Sequence, residues 1–227
     1  MSARHDFYAP VHKGLRLGAC RLLTRLRSVD WEDSKAASAL LTDLRDHLVL
    51  AAKHLDHEDA EIQVLLHDCA EALGARLDTD HVHHVGTFAE LEAMMVVVEQ
   101  SRGASRAVAG HALYLGFSRH LGEDLLHMVR EEQEALPCLH ARFDDAALAA
   151  AEHRIRAQIP LDRLVAYFRL MLPGANPAER IALMADMRGG APAEVFEAVM
   201  AGAARVALSP IEFEHLAAGL AQLAVAA

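Results

Sequence analysis

His54-Leu55-Asp56-His57-Glu58 and its echo His127-Met128-Val129-Arg130-Glu131 decide how this chain is read. Each is a His-x-x-x-Glu. Four residues span about one helical turn, so the imidazole and the carboxylate of each pair leave the same face of a helix. Together they make a two-toothed ligand for a borderline or hard metal such as iron, manganese or zinc. A single pair of this kind arises by chance in helices rich in His and Glu. Two of them, interleaved with His12 and the pair His81/His84, point to a metal centre.

The surrounding composition is that of a helical scaffold. The 227 residues are 53% hydrophobic, much of it Ala and Leu, with aromatics at 5%. That favours helix over strand and supplies a core without external staples. A formal charge of −10 argues against a nucleic-acid groove or an anionic membrane surface as partner. Cys20, Cys69 and Cys138 are odd in number and widely spaced, which indicates neither a disulfide framework nor a thiolate zinc site. The first residues lack the apolar core of a signal peptide, and no run is long enough to span a bilayer, so a cytoplasmic location is expected.

Proline divides the chain. None occurs between Pro10 and Pro137, a length that holds four long helices, whereas Pro160, Pro173, Pro177, Pro192 and Pro210 follow in quick succession. If successive helices are antiparallel and the ligands sit at one level, each loop falls midway between consecutive ligands. His12 and His54 centre on Asp33, inside a polar segment. The His81/His84 pair and His127 centre on Ala104 or Ser105, beside Gly103. Glu58 and His81 centre near Cys69, where Asp68 and Glu71 read as an N-cap and its N3 partner. The expected fold is all-α: an up-down-up-down four-helix bundle over residues 1–142, with helices near 8–27, 34–67, 69–100 and 105–139. Residues 143–227 form a cap of short helices that packs on the bundle or on a second copy as a homodimer. Asn176-Pro177, Ala191-Pro192 and Ser209-Pro210 mark three of its helix starts, each with Glu two residues after the proline.

The metal-ligand candidates are His12, His54, Glu58, His81, His84, His127 and Glu131, five imidazoles and two carboxylates. Two ions at five-coordination offer about ten positions. Two bridging carboxylates fill four of these and the imidazoles five, which leaves an open position for a small ligand.

The order His, His-x-x-x-Glu, His-x-x-His, His-x-x-x-Glu resembles the hemerythrin family in its bacterial His-His-Glu cation-binding branch. Tyr8-Ala9-Pro10-Val11-His12-Lys13, His54-Leu55-Asp56-His57-Glu58-Asp59 and His127-Met128-Val129-Arg130-Glu131-Glu132 carry the resemblance, which covers about residues 5–142. The resemblance implies two non-haem iron ions with an oxo, hydroxo or water bridge, and a small diatomic or peroxide ligand. Relatives carry O2, sense oxygen or iron, or help repair nitrosative damage. One departure lies on the third helix, where His81 and His84 are spaced i, i+3 and the oxygen carriers use i, i+4. The leading expectation is a di-iron protein acting on O2, NO or peroxide as store, sensor or stress protein. The alternatives are a di-iron oxidoreductase with an organic substrate, and an interaction module with a structural metal.

Further residues belong to the surroundings. His57 and Glu61 share the ligand face of the second helix and are candidates for orienting imidazoles. Tyr8 precedes His12 by four residues and is either a neighbour of the metal or helix-end packing. His47 and His120 precede His54 and His127 by seven residues. They form either an inward layer above the metals or, as helix drift favours, a pair turned to solvent. His83, His111, His140, His153 and His215 read as solvated, and Met94 and Met95 as core.

Overall fold

The computed structural model describes residues 4–226, with side chains as far as residue 223. Among these residues the regular elements are all helical and no strand occurs. They are α1 (Tyr8–Ser28), α2 (Ser34–Glu61), α3 (Gln63–Gln100) and α4 (Gly103–Arg130), then a π-helical turn (Glu131–Ala135) that runs on into α5 (Leu136–Arg142). Shorter helices follow: α6 (Asp145–Gln158), α7 (Leu161–Gly174), α8 (Pro177–Gly190), α9 (Ala193–Val199), a second π turn (Met200–Ala204), α10 (Arg205–Ala207) and α11 (Pro210–Ala226). No helix of the described residues is long and apolar enough to cross a membrane. Two compact units divide the chain, one of residues 4–6 with Gly18–Arg156 and the other of Phe7–Leu17 with residues 157–226.

In the first unit, local chemistry sets the helix ends. Asp33 caps α2, its carboxylate accepting from the N–H groups of Lys35 and Ala36 at 2.9 and 3.1 Å. The link from α3 to α4 turns at Gly103, whose φ of 51° lies in the left-handed region that a Cβ disfavours. Between α2 and α3, Ile62 keeps right-handed helical angles, and the chain instead breaks at Ala70 (φ −154°, ψ 63°). The expected break at Cys69 is thus met one residue later, but not its capping: Ala70 has no side-chain acceptor, and Asp68 pairs with Arg142 at 3.1 Å.

Cross-helix pairs give the direction of the long helices. Arg45 meets Glu92, Asp59 meets His81, and His67 meets Asp78, so partner numbers fall as the first number rises and the two sides of the Ala70 break run antiparallel. His83 with Glu123 and Asp80 with Arg130 show the same for α3 and α4. One apolar cluster joins Leu22 and Leu26 of α1, Leu40 and Leu44 of α2, Leu91 and Met95 of α3, and Leu113 and Phe117 of α4. Trp31 belongs to the same cluster and lies flat over Gly110, where a Cβ would stand 2.2 Å from its ring.

The second unit is built from the proline-marked helices. Asn176 caps α8 by a reciprocal box with Glu179 around Pro177, and Glu212 returns to the N–H and hydroxyl of Ser209 ahead of Pro210. Pro192 stands one residue before α9 rather than in its first position. Arg180, buried, donates to the Leu172 carbonyl at 2.6 Å and pairs with Glu212 at 2.8 Å.

Candidate metal centre

Helical spacing brings His54 and Glu58 to one face near the end of α2, and His81 and His84 to the middle of α3. His127 lies in the last turn of α4, and Glu131 opens the π turn. That turn stands just before Pro137, which lacks the N–H an α-helix would direct back to Gln133. The N–H of Leu136 reaches instead to the carbonyl of Glu131, five residues earlier.

Glu58, His81, His127 and Glu131 are between 1% and 3% exposed, a burial that ionisable groups tolerate only when their charges are matched. Each offers one ligand atom, and these atoms all lie within 4.8 Å of one another. His127 Nε2 is 3.4 Å and His81 Nε2 3.8 Å from Glu131 Oε1, while His81 Nε2 is 3.9 Å from Glu58 Oε2. The two Nε2 atoms are 3.1 Å apart. On α2, His54 Nε2 is 3.0 Å from Glu58 Oε1.

The far nitrogens are held from behind. Asp59 Oδ1 lies 2.6 Å from His81 Nδ1, and Asp80 Oδ2 lies 3.5 Å from His127 Nδ1 while also pairing with Arg130. Carboxylates of this kind fix the tautomer and ring orientation of metal-binding imidazoles. Sequence reasoning passed over both, although each directly neighbours a candidate ligand, Asp59 after Glu58 and Asp80 before His81. Of the residues favoured for this role, His57 is half-buried and Glu61 accepts from Arg154 at 2.6 Å.

Electrostatics describe a pocket that wants positive charge. Burial alone would lower the pKa of His81, but the nearby carboxylate of Glu131, the charge of Glu58 and the bond to Asp59 raise it to about 9. His127 is raised as well, against burial, by Glu131 and Glu58. Glu131 is lowered although burial and Glu58 push it up, because His127 and His81 hold its charged form. The imidazoles and Glu131 thus favour one another's charged forms. A divalent cation supplies the same charge to the same atoms, and two carboxylates with imidazoles suit iron, zinc or manganese. The buried His/Glu group could hold a metal ion.

The remaining candidates are placed as follows. His84 is buried beside the group, its ring 4.9 Å from that of His127 at 86°, and its Nδ1 has no hydrogen-bond partner. Burial and then the neighbouring His127, His120 and His81 lower its pKa to about 3. His12, fully buried, belongs to the second unit, where its ring stacks on buried Tyr8 at 5.0 Å. His47 and His120 are not turned to solvent: they are 7% and 3% exposed, and the ring of His120 lies between Phe88 at 5.2 Å and Phe117 at 5.9 Å. A drift of about 20° over seven residues is too small to carry a ring across an apolar face wider than about 100°. His83, His111, His153 and His215 are exposed, whereas half-buried His140 bonds the carbonyl of His5 at 2.7 Å. No protein-family model, curated protein or solved structure matches the chain, so the reading of this centre rests on its own geometry.

Proposed function

We propose that the chain is a non-haem di-iron protein that binds or reacts with a small ligand such as O2, NO or peroxide, as a store, sensor or stress-response protein. The observation that carries this reading is the buried group Glu58, His81, His127 and Glu131, whose ligand atoms converge within 4.8 Å. In it α1 to α4 form an up-down-up-down bundle of the hemerythrin type, and the later helices form a cap through which two copies can pair. Glu58 and Glu131 would hold the ions together with His12, His54, His81, His84 and His127. Bound iron would supply an open coordination position for the small ligand. The protein's own residues do the rest: Asp59 and Asp80 hold the outer nitrogens of His81 and His127, and the donors are themselves buried from bulk water. A cytoplasmic setting, without a nucleic-acid or membrane partner, goes with this reading.

Metal analysis with optical spectra under argon and under air tests it. About two irons per chain and near-ultraviolet bands that bleach on reduction and return with O2 are expected. A colourless zinc protein would instead favour a structural metal in an interaction module.

A further inference from the structure

The helix face behind His81 carries a second feature. Asp59 on α2, with Gln63 and His67 on the part of α3 before the Ala70 break, are spaced four residues apart and therefore share a face. Opposite them run Asp78, His81, Val82 and Val85, and the two rows enclose an open groove of about 400 Å³. Small-molecule sites are typically about 300–1,000 Å³. Two polar rungs cross it: Asp59 to His81 at 2.6 Å and His67 to Asp78 at 2.8 Å. The position between them is Gln63, which is 5% exposed and has no hydrogen-bond partner for either amide atom. A buried amide left unsatisfied on both sides is costly and uncommon. Around it Val64, Val82 and Val85 are 63%, 74% and 56% exposed, an apolar lining that water covers poorly.

We propose that this groove binds a small uncharged molecule bearing an amide-like donor–acceptor edge on an apolar body, and that its occupant acts on the metal centre through Asp59 and His81. The primary amide of Gln63 offers one donor edge and one acceptor, the complement of a carboxamide, urea or lactam. The apolar body covers the valines. Charge is disfavoured because both aspartates already face an imidazole: an anion would meet two carboxylates, and a cation would compete with the imidazoles for them. The occupant lies on the Nδ1 side of His81, opposite the Nε2 that faces Glu58 and Glu131, so it touches the ring's support and not the metal position.

The binding half of the proposal is independent of the di-iron reading and is tested on metal-free full-length protein. Methyl and side-chain amide NMR spectra are followed during titration with benzamide, and separately with the charged analogues benzoate and benzylamine. Benzamide is expected to give saturable shifts at Val64, Val82, Val85 and the Gln63 NH2, with a dissociation constant of about millimolar order for so small a ligand. The charged analogues are expected to bind about tenfold more weakly or worse, and Gln63→Leu to weaken benzamide by a similar factor. Gln63→Glu, which keeps the shape, should transfer preference from benzamide to benzamidine. Absence of saturation, equal binding of benzoate, or unchanged benzamide affinity in both variants overturns the site. The regulatory half rests on the di-iron reading and is read in iron-loaded protein, where saturating benzamide should shift the near-ultraviolet bands in wild type and not in Gln63→Leu. Saturation with no spectral shift overturns that half alone.

Discussion

Asp59 holds His81 by its Nδ1 at 2.6 Å, and that one contact decides which nitrogen of the ring is turned toward the buried carboxylates. At 2.6 Å Nδ1 donates its proton to Asp59, so Nε2 is the nitrogen left to take up a second proton or a metal. The Asp59 side chain is 53% exposed and contributes little to the core. Asp59→Asn is therefore expected to leave the fold intact while lowering metal affinity by about 10–100-fold. Competition against a chelator of known affinity measures this, and an unchanged affinity would show that the contact orients nothing of consequence.

The carboxylates themselves are a sharper probe. If Glu58 and Glu131 each bridge, removing either should disturb both ions rather than one. Iron content is expected to fall from about two per chain to well below one in Glu58→Ala and in Glu131→Ala. Retention of one tightly held ion in either variant would mean that the lost carboxylate served a single position.

Metal-free protein should have a stability optimum near neutral pH, because two sets of histidines pull in opposite directions. His81 binds its proton more tightly folded than unfolded, with a pKa of about 9 against an ordinary value of about 6.5. Its contribution is complete below about pH 6.5 and is lost as pH rises through about 9, and His127 acts in the same direction. His47, lowered to about 4 by burial and then by His120, behaves oppositely, as does His84 at about 3. The unfolded chain takes up protons below about pH 6.5 that these buried rings refuse, so stability falls as pH drops toward those values. Urea unfolding between pH 4 and 9 should show both limbs, and His47→Leu should flatten the acid one. Iron affinity should climb from about pH 6.5 to 9, since each imidazolium must lose its proton to ligate.

Gly110 tests the far end of the core. A methyl group there has no room against the Trp31 ring, and buried Arg106 ties that segment down through the Trp31 carbonyl and the Ser34 hydroxyl. Gly110→Ala is expected to destabilise the protein by about 1–3 kcal/mol despite the better helix propensity of alanine. Thermal unfolding measures it, and the metal content of the folded fraction should not change.

What could be read from the sequence was what is local. Asp33 announces its cap by residue type, and His-x-x-x-Glu announces a shared face by spacing alone. The ligand midpoints put the first and third breaks beside Asp33 and Gly103 because antiparallel packing ties loop position to ligand position. Asp59 and Asp80 escaped because a carboxylate beside a ligand looks like any surface acid until a second helix brings an imidazole to it. The Ala70 break carries no turn residue, so only the ligand midpoint and a neighbouring cap signal hinted at it. His47 and His120 were misjudged because drift along one helix was weighed without the width of the core they enter.

The π turn at Glu131 has a consequence in chain length. Closing a turn over five residues rather than four is equivalent to inserting one residue into a regular helix, which rotates everything after it by about 100°. Glu131 lies before the insertion and Leu136 and Leu139 after it, all three buried. Deleting a single residue between them is expected to remove the extra residue of the turn, keep the carboxylate in place and swing both leucines off their buried face. At this position the frame of the chain, counted in residues, matters more than which residues are counted.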